Sequence, residues 1–275
     1  MEPEIEKFWN DGLKAALELL GHNNNFRITF TNIYQVKELI DISKYDFILG
    51  WGGFNSPVDL FLNSQAIRSD IKCPPMGLCI GGNAFPVRHD ETYSVLFYET
   101  NWFKPQVSWH KNARRAFGIN SEVFYQEYSE LYQDEAIRDT MCIYDYVSIG
   151  SFSNWKRHEK MINRSGTRLC IGQIQQNNLS ESMEIAYSLI KNGVAVSDMI
   201  EPYKLALILN MTENVYIPAD ILGGGERSVW EARACGAKVL VEDDNPKLQS
   251  LLIEPVLDEY RYYKDLMAGI KSCLK

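Results

Sequence analysis

Between residues 214 and 241 an apolar run enters three consecutive glycines, Gly223, Gly224 and Gly225. A segment with helical spacing follows over 226–235, Gly236 closes it, and a second apolar run begins at 238. Strand, turn, helix and strand in such close order form the unit from which parallel sheets covered on both faces are built. The glycines let the backbone take positive φ and approach a bound group closely. The helix start adds unpaired N–H groups and the positive end of its dipole, which together suit an anion. Glu231 falls about one turn into the helix, within reach of whatever the amides hold. An ordinary strand-to-helix turn that needs glycine for steric reasons is the alternative. The full set of features describes a cradle for a diphosphate.

The same alternation runs through the rest of the chain. Strands are predicted at 26–31, 45–50, 75–80, 93–98, 146–150, 168–172, 194–197, 214–218 and 238–241, with helical spacing at 8–20 and 255–275. Residues 121–145 are rich in aromatic and charged side chains and have little strand character. The expected fold is α/β, with two Rossmann-like domains, 1–130 and 131–275, and a terminal helix able to pack back on the first. A length of 275 residues with 45% hydrophobic content suits this. No apolar run approaches the ~18 residues of a membrane span, and the acidic start is not a secretory signal. Six cysteines, 73, 79, 142, 170, 235 and 273, show no C-x-x-C spacing and read as reduced thiols of a cytoplasmic protein. The net charge of −8 argues against broad nonspecific nucleic-acid binding while leaving a local basic groove open. There is no zinc-type Cys/His cluster and no G-x-S-x-G elbow. Glu242, Asp243 and Asp244 run into Asn245 and Pro246 as a helix-entry turn. No obligatory metal or cofactor is expected.

The run Glu231, Ala232, Arg233, Ala234, Cys235, Gly236 resembles the donor-binding segment of the retaining family-4 glycosyltransferases of the GT-B fold. That family has a Glu, seven residues, then Glu-Ala-x-Ala-x-Gly and a short strand. Gly223 stands at the position of the first Glu, and Glu226 is the nearest carboxylate. Residues 146–158 resemble the strand and loop that open the family's second domain with Gly-Arg-x-x-x-x-Lys. Gly150 and Lys156 match, Ser151 stands at the arginine, and Arg157 lies next in line. Residues 193–204 resemble the segment whose backbone reads the nucleotide base, at Met199 and Ile200, with Asp198 a weaker match. Gly118, within 117–124, resembles the Gly-Val-Asp element at the end of the first domain.

The resemblance implies two Rossmann-like domains with the active site in the cleft between them, the first domain being reduced. It implies a nucleotide-diphosphate sugar as donor substrate and transfer of a hexosyl or pentosyl group with retention. Lys156 and Arg157 would hold the diphosphate, Glu231 the ribose, and Glu226 the sugar or the loop. Gly223, Gly224, Gly225, Arg227, Ser228 and Ser151 would line the donor. The acceptor is a glycan, a lipid, a small molecule or DNA. The compact chain also resembles virus-encoded glycosyltransferases, some of which modify hydroxymethylated bases in DNA; the protein would then work in the host cytoplasm. A second class is a degenerate GT-B module that holds nucleotide without turnover, for which Gly223 and Ser151 speak.

On the acceptor side, Gly53 and Asn83 lie in glycine-containing loops that follow strands, where α/β folds bind ligands. Asn83, and Asp59 in the segment with Gly53, also suit tight turns and helix caps. Lys111, Arg114 and Arg115 form the most basic spot in the chain. It reads either as a solvated surface loop or as a site for an anionic acceptor.

Overall fold

The structure is a computed structural model that describes residues 11–24, 26–31, 41–67, 72–81, 91–126 and 143–274. Asn83 and Cys142 lie outside the described residues. The chain divides into two compact units, Met1–Asn120 with Leu257–Lys275, and Ser121–Val256. The expected boundary at 130 falls within 127–142, also outside the described residues. The terminal segment joins the first unit, not the second.

In the first unit four parallel strands, β1 (Ile48–Trp51), β2 (Met76–Ile80), β3 (Val95–Tyr98) and β4 (Ala113–Arg115), lie in that order. Every residue of β2 and β3 is buried, as continuous apolar strands are when both faces of a parallel sheet are covered. Helix α1 (Asp11–Asn24) and the last helix of the chain, α7 (Glu259–Cys273), cover one face, where Leu13, Ala16 and Leu20 meet Phe97, Tyr262 and Leu266. The other face carries Phe54, Leu62, Leu78, Leu96 and Phe103. Helix α2 (Pro57–Ala66) starts with Pro57 after its N-cap Ser56, whose hydroxyl accepts from the Asp59 amide. Asp59 is itself buried, accepting from Asn55 N at 2.8 Å and Tyr93 Oη at 2.6 Å.

Two expectations are corrected here. Residues 26–31 form no strand; Phe26 and Ile28 alternate because they pack against the α1–α7 cluster, not because they pair in a ladder. The basic run is only partly a loop: Lys111 lies in an exposed turn, but Ala113–Arg115 pairs with β3. Three residues, two of them arginines, carry no readable period, and the backbone ladder holds them in place.

Gly118 has a packing role. A Cβ there would lie 2.3 Å from the Asp258 carbonyl oxygen, and a Cβ on Gly12 would lie 2.2 Å from the Gly118 oxygen. Ile119 N donates to Leu257 O at 2.9 Å and pairs with Asp258 as a bridge. Three backbones converge where a side chain has no room, which stitches the returning chain to the first unit.

The second unit is a five-stranded parallel sheet of β5 (Tyr144–Ile149), β6 (Arg168–Ile171), β7 (Ala195–Ser197), β8 (Thr212–Ile217) and β9 (Lys238–Val241). Helices α3 (Leu179–Lys191), α4 (Pro202–Asn210), α5 (Glu226–Ala234) and α6 (Pro246–Ile253) alternate with the strands. The order β7-β6-β5-β8-β9 steps outward from β5 and then returns to its other side. The reversal between β5 and β8 makes the loops after these two strands diverge, and in open α/β sheets ligands bind in that crevice. Among the described residues no helix is long and apolar enough to cross a membrane.

Candidate functional site

Both sequence motifs sit at this reversal. Beyond β5, Gly150 (φ 152) leads into a 3-10 turn, Asn154–Lys156, closed by Arg157 in the left-handed region (φ 49). Beyond β8, residues 218–225 carry the glycines into α5. The loops are tied together: Asp220 N donates to Trp155 O at 2.9 Å. Asn245, the N-cap of α6, reaches back with Nδ2 to Ala219 O (2.8 Å) and Asp220 O (2.9 Å).

The glycines play separate parts. A Cβ on Gly223 would stand 2.3 Å from Trp155 O, so no side chain fits between the loops. Gly224 and Gly225 take positive φ, 67 and 111. Gly225 is the N-cap of α5 and supplies no side-chain hydrogen bond to the first turn. A helix start without a side-chain cap leaves amides directed at an incoming anion.

Lys156 stands beside this helix start. It is half-buried, and among the described residues its ammonium has no hydrogen bond or ion pair. Burial pulls its pKa down to about 8; Glu226 opposes that shift, and Lys247 and Arg227 reinforce it. Its charged form therefore lacks a partner that a ligand anion would supply.

Several charges around it are paired. Glu226 and Lys247 form an ion pair at 2.8 Å with both side chains buried. Arg227 Nε lies 3.2 Å from Glu231 Oε1, one turn along α5. His158 is buried, with Nδ1 3.0 Å from Ser148 Oγ and Nε2 3.2 Å from Gly150 O. A carbonyl can only accept, so Nε2 carries the proton and Nδ1 accepts from the hydroxyl. Burial, reinforced by the Lys156 charge, lowers the His158 pKa to about 4, which keeps the ring neutral at pH 7.

The expected residues separate into those the fold brings together and those it uses otherwise. Lys156, Gly224, Gly225, Arg227, Ser228 and Glu231 gather at the α5 start, although Glu231 is buried and already paired. Arg157 is not a free second cation. Its guanidinium is bidentate to Asp244 (2.6 and 2.8 Å) and also donates to Pro218 O (2.7 Å) and Ala219 O (3.0 Å). Glu226, expected to contact the sugar or support the loop, is paired with Lys247. Gly223 lies behind the loop, its α carbon pressed toward Trp155. Ser151 is half-buried, its Oγ 3.4 Å from Ser153 Oγ.

At the presumed base-reading segment, Met199 N already donates to Asp198 Oδ1 at 2.7 Å. Ile200 packs against Val147, Leu169 and Ile171, so its side chain belongs to the core. Gly53 (φ 76) donates to Cys79 O at 3.2 Å and accepts from Ser56 Oγ at 2.8 Å, as part of the β1–α2 turn. Lys111 and Arg114 are exposed and Arg115 is half-buried.

Lys247, Asp244, Asn245 and His158 complete the site and were not singled out as site residues from the sequence. The Asn-Pro pair at 245–246 announced the cap of α6, but nothing in the sequence marks Lys247 as a lysine with a fully buried side chain. Among the described residues no group of three or more His, Cys, Asp or Glu is placed to hold a metal ion.

Comparison with protein-family models and with curated protein sequences gives no match. Two parallel sheets, the second with a switch-point crevice, define the broad Rossmann-type class. Solved structures then specify the fold. Anabaena HepE, determined with UDP and glucose, superposes with a TM-score of 0.56 at 14% identity over 85% of this chain and 69% of that one. A second HepE structure, with UDP-glucose, covers 85% and 70% at the same TM-score and identity. Sucrose-phosphate synthase from Thermosynechococcus elongatus gives 0.53 at 14% identity, over 84% and 70%. The fold is that of the GT-B glycosyltransferases.

Proposed function

We propose that this chain is a glycosyltransferase that takes a sugar from a nucleotide-diphosphate donor and transfers it to an acceptor hydroxyl with retention. The observation that carries this reading is Lys156: a half-buried ammonium with no hydrogen bond or ion pair among the described residues, next to the α5 N-terminus that bears no side-chain cap, in the crevice between β5 and β8. Lys156 and the first amides of α5 would stabilise the charge that builds on the departing diphosphate, an electrostatic contribution aimed at the transition state. Glu231 would bind the ribose, its carboxylate oriented by Arg227. The HepE structures, solved with UDP, glucose and UDP-glucose, support a uridine nucleotide as the first donor to try. The described cysteines carry free thiols, which supports a reducing, cytoplasmic setting.

One observation favours a second reading, a module that binds nucleotide without transferring sugar. Neither position expected to carry a sugar-binding carboxylate offers one: Gly223 admits no side chain, and Glu226 is paired with Lys247. Sugar release from a panel of nucleotide sugars separates the two. Release that disappears in Lys156→Ala supports the transferase; saturable UDP binding with no release from any donor supports the module.

A further inference from the structure

The first unit holds a second concentration of charge. We propose that Arg114, Arg115 and Arg261 form a binding site for a phosphate group carried by a small molecule. The three arginines, with Leu257, Asp265 and Ala268, line a concavity of about 490 Å³ between β4 and α7. In each arginine the Nε is already fixed. Arg114 Nε donates to Asn112 Oδ1 at 2.9 Å, and Asn112 is held in turn by Ser94 O and Ser272 Oγ, both at 2.9 Å. Arg115 Nε donates to Glu99 O at 3.1 Å, and Arg261 Nε lies 3.0 Å from Asp265 Oδ2. The Nη groups of Arg114 and Arg261 have no hydrogen bond among the described residues.

Three guanidinium groups thus converge on one concavity with a single carboxylate, in a chain whose net charge is −8. Converging like charges repel, and an anion that bridges them relieves the repulsion. A guanidinium anchored through Nε, as those of Arg114 and Arg261 are, keeps its planar Nη edge for bidentate contact with a tetrahedral anion, at little further loss of side-chain freedom. The volume falls in the range typical of small-molecule sites, roughly 300–1,000 Å³. A nucleic-acid backbone needs instead a row of cations along an extended groove, and these arginines line a single open concavity. The chemistry therefore points to one phosphate on a compact molecule. This inference is independent of the donor-site reading, because every residue in it belongs to the first unit.

The test is titration of the full chain by calorimetry with inorganic phosphate, glycerol 3-phosphate, glycerol and a short duplex DNA. Wild type, Arg114→Ala, Arg261→Ala and Lys156→Ala are compared, with circular dichroism confirming the fold of each. Arg261→Lys provides a conservative variant that keeps charge but loses the fork. The expected result is saturable binding of phosphate and glycerol 3-phosphate, none of glycerol, weakened about tenfold or more by each arginine-to-alanine change and retained in Lys156→Ala. The proposal is overturned if neither phosphate compound binds. It is equally overturned if binding ignores both arginine changes, vanishes only in Lys156→Ala, or is confined to the DNA with a steep salt dependence. UDP titrated alongside keeps the two sites distinguishable: its affinity should respond to Lys156→Ala and not to Arg114→Ala.

Discussion

The Trp155 carbonyl oxygen stands 2.3 Å from the point where a Cβ on Gly223 would be built. This contact locks the loop after β5 against the loop after β8, and it explains why a glycine occupies the position at which the resembling family has a glutamate. Gly223→Ala should force the loops apart and destabilise the protein by roughly 1–3 kcal/mol, the usual range for overpacking. Urea denaturation measures this. An alanine variant as stable as wild type would show that the loops are not packed as described.

Lys156 should make nucleotide binding depend on pH. Its pKa in the free protein is lowered to about 8, and a bound diphosphate raises it by favouring the charged form. Affinity for UDP is therefore expected to hold below pH 8 and to decline above it as the free protein loses the charge. Lys156→Ala should weaken binding by about 1.5–3 kcal/mol, the scale of a charged hydrogen bond, and flatten the profile. Lys156→Arg, charged throughout, should flatten it with less loss. Titrations at pH 6.5 to 9.5 decide; an unchanged slope in the alanine variant refutes the role.

Much of the second unit was legible in the sequence, for reasons visible in particular residues. Strand β9 was placed at 238–241 because Val239, Leu240 and Val241 form an apolar run directly after Gly236, the glycine that ends the helix. The glycine triplet and Lys156 were legible as loop features because each follows an apolar strand. The first unit was less so. Strand β4 hides behind Arg114 and Arg115, and the alternation at 26–31 reflects packing on helices. Partner choice was not legible at all. Arg157 and Lys156 are adjacent and chemically alike in sequence, and only the fold brings Asp244, 87 residues along, to one of them. Glu226 was read as a contact for the sugar or the loop, and its pairing with Lys247 was not legible because Lys247 gives no sign of burial.

Arg157 is a strap, and its variants should behave as such. Arg157→Ala removes the bidentate bond to Asp244 and two bonds to the Pro218–Ala219 backbone, while leaving a left-handed residue that its side chain helped to hold. A loss of stability of about 1.5–3 kcal/mol is expected, on the scale of charged hydrogen bonds. Asp244→Asn should cost less, and the double variant should be less destabilised than the sum of the single effects. Full additivity in the double-mutant cycle would contradict the pairing.

The Glu226–Lys247 pair lies at 2.8 Å with both side chains buried. Removing one partner leaves an uncompensated buried charge, so Lys247→Met is expected to destabilise the protein by about 3–5 kcal/mol. Replacing both, Glu226→Leu with Lys247→Met, should recover much of that loss, because two apolar groups strand no charge. Thermal and urea unfolding of the three variants tests this, and a double variant no better than Lys247→Met argues that the pair does more than balance itself.

His158 should set part of the acid limit of stability. In the folded protein its pKa lies at about 4, below its ordinary 6.5, because the ring is buried and Lys156 repels its charged form. The unfolded chain therefore binds a proton more readily between these values. The stability that the neutral ring contributes is fully present above pH 6.5 and is lost as pH falls through 6.5 toward 4. Over that window the loss amounts to roughly 3 kcal/mol, at 1.36 kcal/mol per pH unit of separation. Protonation would also break the geometry, since a charged ring cannot accept from Ser148 Oγ through Nδ1. Carboxylates paired in the fold, Asp244 among them, lose stability at lower pH for their own reasons. His158→Gln isolates the histidine: the amide can still pair with polar neighbours but does not titrate. Urea unfolding of wild type and this variant between pH 4.5 and 7.5 should give a slope in wild type that is largely absent in the variant. Parallel curves would show that the ring is not held neutral, and with that the arrangement of Ser148, Gly150 and Lys156 around it would need to be redrawn.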